Sequence, residues 1–105
     1  MKYAVEVTAS AERDSYEAYA TMATYYAFAV HDWFDSLVRA IQDLTDSPQR
    51  FPIAPESSDV GKEIRQSVVQ GYALLFEIQN DRVNVLHIRA AAERRGFAPE
   101  SEIPF

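Results

Sequence analysis

Three side chains in the second half of the sequence, Arg65, His87 and Arg89, have the chemical types needed to act on a phosphate. Each arginine can direct two parallel N–H donors at a phosphate or at a carboxylate. Histidine exchanges protons near neutral pH, so it can serve as a general base. His87 and Arg89 are two positions apart, and in an extended strand that spacing puts both on the face that also carries Val83 and Val85. The spacing therefore predicts an acid–base group and a cation side by side.

The same three residues also have a purely structural interpretation. Arg65 and Arg89 can equally be sheet arginines that bridge to acidic neighbours, and neither role is preferred from the residues alone. The acidic neighbours available for such bridges are Glu63, Glu77 and Glu93. For His87 the structural role is favoured, because a half-buried strand histidine usually satisfies its ring nitrogens with hydrogen bonds.

Two further residues in the same half of the sequence, Lys62 and Tyr72, are weaker candidates. Tyr72 could relay a proton or stack on a base, but it alternates with apolar residues, which is typical of a core tyrosine. Lys62 has the pattern of a solvated lysine. The carboxylates between residues 32 and 46 are not accompanied by a histidine, or by a second row of carboxylates, at a spacing that would let them bind one metal ion together. The sequence therefore predicts no metal ion and no cofactor.

The charge of the chain is negative and unevenly distributed. The net charge is −6, whereas residues 61–95 contain six Lys or Arg against four Asp or Glu, a local balance of +2. A globally acidic surface repels a phosphate backbone. We therefore expect no strong direct binding of nucleic acid, and any contact with it must use the 61–95 region.

The cellular environment is also constrained by composition. The sequence has no cysteine, which fits a reducing compartment. It becomes charged directly after Met1, unlike a signal peptide. No apolar run approaches the roughly 20 residues needed to span a bilayer. We expect a cytoplasmic protein that has no membrane partner.

Helical and extended patterns divide the sequence into elements. Residues 3–8 alternate and predict a strand. Residues 10–45 lack glycine and proline and have apolar residues at helical spacing. One helix of that length would be about 54 Å long, too long for a domain of this size. A helical hairpin with its turn within residues 24–31 is therefore predicted.

The second half of the sequence predicts a β meander. Three prolines in residues 46–61 predict a loop without regular structure. Strands are predicted at 63–69, 72–78 and 83–89, with Asn80-Asp81 in the last turn because asparagine tolerates positive φ. The expected fold class is α+β: a strand, a two-helix hairpin and a three-stranded antiparallel meander. We expect residues 1–95 to form the domain and residues 96–105 to be a tail.

This order of elements resembles the RelE/ParE toxins, a family that includes plasmid stabilisation proteins. The stretches that carry the resemblance are residues 3–8, 33–44 with 47–56, 63–66 with Gly71-Tyr72 and 75–78, and 83–89 with Arg94-Arg95. The resemblance implies a growth-inhibiting toxin of a toxin–antitoxin module, neutralised by a cognate antitoxin. RelE toxins cut mRNA on the ribosome, and ParE toxins poison DNA gyrase.

Three positions depart from the family pattern, and each removes positive charge. Relatives usually have a basic residue where Ala73 stands, often another at Glu77, and a histidine where Ala90 follows the last strand arginine. These departures favour action by protein binding, on gyrase or on an unknown target. The alternatives are a ribosome-dependent mRNA endonuclease, or a relative that binds an antitoxin without being toxic.

The resemblance also implies which residues make the site. An endonuclease would use Arg65, His87 and Arg89 as catalytic residues, with the arginines stabilising the charge of the phosphorane. Antitoxin or target contact is expected at Arg65, Leu75, Arg89 and Arg94, on a sheet whose apolar residues are left exposed for a partner.

Overall fold

A short strand and a helical hairpin open the fold in the computed structural model, which describes residues 2–93. The strand β1 is Ala4–Val7, and the helix α1 is Ala9–Tyr25. The hydroxyl of Thr8 accepts the backbone N–H of Ala11 at 3.2 Å and so caps α1. A turn of 3-10 helix, Ala27–Ala29, leads into the helix α2, Val30–Asp43. The predicted hairpin and the position of its turn are confirmed.

The segment between the hairpin and the meander contains two short helical elements. Pro48–Arg50 forms a 3-10 turn, and Glu56–Val60 forms the helix α3. Pro55 precedes α3, where a missing N–H is harmless, and Gly61 ends it at φ 72°. The prediction that residues 46–61 have no regular structure is therefore wrong, because these prolines start helical turns.

Within residues 2–93 the strands form one four-stranded sheet with the order β1-β4-β3-β2. The meander strands are β2, Arg65–Val69, β3, Tyr72–Gln79, and β4, Arg82–Ala90. They pair antiparallel, as predicted, while β1 pairs parallel with β4. Asn80 adopts φ 58° in the turn, as predicted. The sheet is therefore mixed.

A β-bulge interrupts the pairing of β3 with β4. Leu75 lies opposite His87 and Phe76 lies opposite Val85, so Leu86 is an extra residue on β4. An extra residue reverses which face the following side chains occupy. Beyond the bulge, each side chain of β4 therefore lies on the face opposite to the one that an unbroken strand would give it.

The bulge moves two candidate residues to the other face of the sheet. Val83 and Val85 pack with the helices, whereas Arg89 lies opposite Ala73, which belongs to a second apolar cluster on the far face. His87 is the cross-strand partner of Leu75, which belongs to the same cluster, although its ring bonds to α1. The prediction that His87 and Arg89 share a face with Val83 and Val85 is wrong, because it assumed an unbroken strand.

Both faces of the sheet are covered. The hairpin covers one face, and the buried side chains there include Trp33, Leu37, Leu74, Phe76 and Val85. The segment that contains α3 covers the other face, where Ala54, Ile64, Ala73 and Leu75 are buried together. The apolar sheet residues expected to be exposed for a partner are therefore buried. No helix among the described residues is long and apolar enough to cross a membrane.

Candidate functional site

Arg89 is held by a buried carboxylate from α3. Glu56 is 0% exposed, and its carboxylate accepts hydrogen bonds from Nε and Nη2 of Arg89, the latter at 3.0 Å. The amide oxygen of Gln66 lies 3.3 Å from the same Nη2. The remaining donors of Nη1 reach the carbonyl oxygens of Ala90 and Ala91 at 3.2 and 3.4 Å. These contacts match the five N–H donors of a guanidinium.

Local sequence explains how this ion pair fits against the sheet. Ala73 lies opposite Arg89 on β3, and its small side chain leaves room for the guanidinium. Pro55 and Gly61 delimit the helix that places Glu56 there. Because both charges are removed from water, each depends on the other for its stability. The acidic partner of Arg89 is thus Glu56; the predicted alternative Glu77 pairs elsewhere, and Glu93 lies outside the described side chains.

Arg65 lies on the opposite face of the sheet from Arg89. It is the cross-strand partner of Phe76, which packs with the hairpin. Its Nη1 donates to the carbonyl oxygens of Gln49 and Phe51 at 3.1 and 2.6 Å. Its Nη2 lies 3.4 Å from Glu63, the bridge that the structural interpretation predicted. Arg65 therefore fixes the loop before α3, and the structure does not bring it together with Arg89.

His87 bonds to the helix α1. Its Nδ1 lies 3.0 Å from Oδ2 of Asp14, and both side chains are mostly buried. The strand β1 ends at Val7, so it does not cover the edge of β4 beyond Val85. Asp14 takes that place, since the same oxygen accepts the backbone N–H of Ile88 at 3.0 Å. His87 therefore has the hydrogen bond expected of a half-buried strand histidine.

The two weaker candidates are also engaged within the fold. Lys62 pairs with Glu77 at 3.0 Å, so it is not simply solvated as predicted. Tyr72 packs edge-to-face on Trp33 with ring centroids 5.2 Å apart, as expected of a core tyrosine. Among residues 2–93, no group of three His, Asp or Glu side chains is arranged to hold a metal ion.

The cleft next to Arg89 is acidic. It has a volume of about 280 Å³ and lies between α1 and the end of β4. Asp14 and Glu17 line it on the helix side, and Tyr72 and Arg89 on the sheet side. A phosphate approaching Arg89 through this cleft would meet two carboxylates before reaching a guanidinium that is already paired.

Two expected partner contacts have different outcomes. Leu75 is 1% exposed beneath the segment that contains α3, so a partner cannot touch it in this conformation, and that expectation is corrected. Arg94 lies outside the described residues. Sequence reasoning missed Glu56, Gln66 and Asp14, whose partners are 33, 23 and 73 positions away. No local pattern signals contacts of that range.

The fold of this chain is similar to that of solved structures. No protein-family model matches the sequence, and no curated protein sequence matches it. A chain of the chromosomal ParDE TA system from P. aeruginosa has a similar structure, with a TM-score of 0.67. The match covers 85% of this chain and 96% of that chain at 11% sequence identity. At this identity the likeness establishes a shared fold, and the fold expected from the resemblance is confirmed.

Proposed function

We propose that this chain is the toxin component of a bacterial type II toxin–antitoxin module, neutralised by a cognate antitoxin. The observation that carries the proposal is the shared fold, which covers nearly all of a chain from a ParDE system. A fold alone hosts many functions. The stretches within residues 3–95 that resemble RelE/ParE toxins are consistent with the same assignment.

We propose further that the protein acts by binding a cellular protein, with DNA gyrase as the first candidate. Its cationic side chains are paired with carboxylates, and this pairing supports protein binding over RNA cleavage. Arg89 is paired with Glu56, Lys62 with Glu77, and the cleft next to Arg89 is lined by carboxylates. Stabilising a phosphorane requires cations aimed at the phosphate. In this fold those cations are directed at acidic residues of the chain itself.

RNA cleavage in the RelE manner is the second candidate. One observation favours it: beyond the bulge, His87 and Arg89 lie two residues apart on β4, opposite Leu75 and Ala73 of one apolar cluster. That arrangement would put a base and a cation next to one phosphate. It is disfavoured because Arg65, the third member of the predicted set, lies on the opposite face.

Expression in bacteria tests the proposed function. The protein is induced alone and together with the product of the gene adjacent to its own, and growth is followed. Induction alone should arrest growth, and co-expression should restore it through a complex that co-purifies. The variant Leu37→Asp, which should not fold because Leu37 is a core residue, provides the control for the burden of expression.

Purified protein then separates the candidate targets. Inhibition of gyrase supercoiling in vitro would support the ParE manner. Growth arrest without gyrase inhibition would indicate a different protein target. A chain that binds the adjacent gene product and never slows growth would be a non-toxic relative, and the toxin proposal would be rejected.

A further inference from the structure

Residues 52–60, here named the strap, contact the sheet much as a bound peptide would. Ile53 forms a bridge with Arg65, and the backbone N–H of Gln66 donates to the carbonyl oxygen of Pro52 at 3.0 Å. The backbone N–H of Ala54 donates to Ile64 at 2.7 Å. The strap therefore extends the pairing at the edge of β2 before it turns over the far face of the sheet.

The strap places one charged group in the middle of this contact. Glu56 is fully buried, and its two carboxylate oxygens occupy two adjacent donors of Arg89. Paired donors of this kind bind carboxylates and phosphates equally well in geometric terms. The amide oxygen of Gln66 accepts a hydrogen bond from the same guanidinium. An external oxyanion at Arg89 would occupy the position that Glu56 occupies here.

The attachment of Glu56 to the chain gives it an advantage over any dissolved anion. A tethered group competes at an effective concentration in the millimolar range or higher. Arg89 is also mostly buried, so the charge needs an anionic partner whenever the strap is displaced. Removing the carboxylate alone should leave an unpaired cation in a space the size of a small anion.

We propose that Arg89, oriented by the amide oxygen of Gln66, forms an oxyanion-binding site whose resident ligand is Glu56, so that the strap blocks the site from within. The ligand class is a carboxylate or phosphate group. This inference does not depend on the proposed function, because it concerns the isolated protein and needs neither an antitoxin nor gyrase. It explains why an arginine in a position expected to contact phosphate or a partner is unavailable in the folded chain.

Chemical rescue of Glu56→Ala tests the site. The melting temperature is measured in sodium chloride, sodium acetate and sodium phosphate at matched ionic strength and pH. Acetate or phosphate should raise the Tm of the variant by about 4–8 °C over chloride, saturably, because binding to the native state stabilises it. The wild type should respond much less, because Glu56 fills its site.

Two controls assign the response to Arg89. Glu63→Ala removes an exposed carboxylate that pairs with Arg65, and its Tm should follow the wild type in all three salts. Adding Arg89→Ala to Glu56→Ala should abolish the rescue. A larger response to acetate would indicate a site for protein carboxylates, and a larger response to phosphate would indicate a phosphate site.

A second variant keeps the test decisive if Glu56→Ala does not fold. Glu56→Gln keeps the side-chain volume but removes the charge, and hydrogen exchange at the Ala54 amide reports opening of the strap. Exchange should be faster than in the wild type and faster still when acetate or phosphate replaces chloride, because an anion at Arg89 takes the place of the residue-56 side chain and displaces the strap. If the folded variants respond to these anions no more than the wild type does, the proposal is wrong.

Discussion

Oδ2 of Asp14 lies 3.0 Å from Nδ1 of His87 and also accepts the backbone N–H of Ile88 at 3.0 Å. A single carboxylate thereby takes the place of a neighbouring strand at the part of β4 that β1 does not reach. This contact joins the first turns of α1 to the end of the sheet. It also explains how a histidine with the spacing of a catalytic base can serve a structural purpose.

Replacing Asp14 should therefore destabilise the protein. Asp14→Ala leaves the N–H of Ile88 and the ring of His87 without this acceptor, at a cost of about 1–3 kcal/mol. Glu17→Ala is the matched control, because Glu17 is an exposed carboxylate one turn further along α1. Urea unfolding should give a lower free energy of unfolding for the Asp14 variant only. Equal stabilities for the two variants would show that the Asp14 contact contributes little.

The phase of α2 can be tested with two adjacent residues. Leu37 is 2% exposed and Val38 is 36% exposed. Leu37→Asp buries an unpaired carboxylate, whose cost matches or exceeds a typical stability of about 5–10 kcal/mol. Val38→Asp places the same group at the surface and should remain folded. Circular dichroism distinguishes the two, and a helical, cooperative Leu37→Asp protein would contradict the observed packing.

The elements of this fold were predictable because their signals are local. Apolar residues at helical spacing predicted the hairpin, and Asn80 predicted the last turn of the meander. The bulge at Leu86 was not predictable, since it depends on pairing with β3, and it reversed the expected face of Arg89. Glu56 was missed because a carboxylate in a proline-rich segment gives no sign of a partner 33 residues away.

The turn between β2 and β3 offers a stabilising substitution. Gln70 has φ 50° and precedes Gly71 at φ 83°. A side chain other than asparagine or glycine is strained there, and Asn-Gly is the preferred pair for such turns. Gln70→Asn should stabilise the protein by a few tenths to about 1 kcal/mol. In the other turn, Asn80→Ala should destabilise it by a similar amount, and thermal unfolding of both variants checks the pair.

The two arginines of β4 should differ sharply in their contribution to stability. Arg89→Ala leaves Glu56 buried without a counter-charge and should cost about 3–5 kcal/mol. Arg82 also pairs with a glutamate, Glu6 at 2.9 Å, but both side chains are more than half exposed. Arg82→Ala should therefore cost at most about 1 kcal/mol. Chemical denaturation measures both, and a small effect at Arg89 would contradict a strongly coupled buried pair.

Ribosome-dependent RNA cleavage should be absent from the purified protein. The cations that could stabilise a phosphorane are paired with carboxylates, as Arg89 is with Glu56 and Lys62 with Glu77. Loss of one such donor typically lowers the rate by ~10²–10³. The net charge of −6 also opposes encounter with ribosomal RNA. We therefore expect mRNA on translating ribosomes to remain uncut when the protein is added.

Primer extension on that mRNA is the measurement. Arg89→Ala is a poor diagnostic variant, because its expected loss of stability would remove activity for structural reasons. His87→Ala is better suited, since Asp14 keeps its contact with the Ile88 N–H in that variant. Codon-dependent cuts by the wild type that disappear in a folded His87→Ala protein would overturn the expectation. They would establish the RelE manner of action and make His87, with Arg89 two residues further along β4, the centre of the reaction.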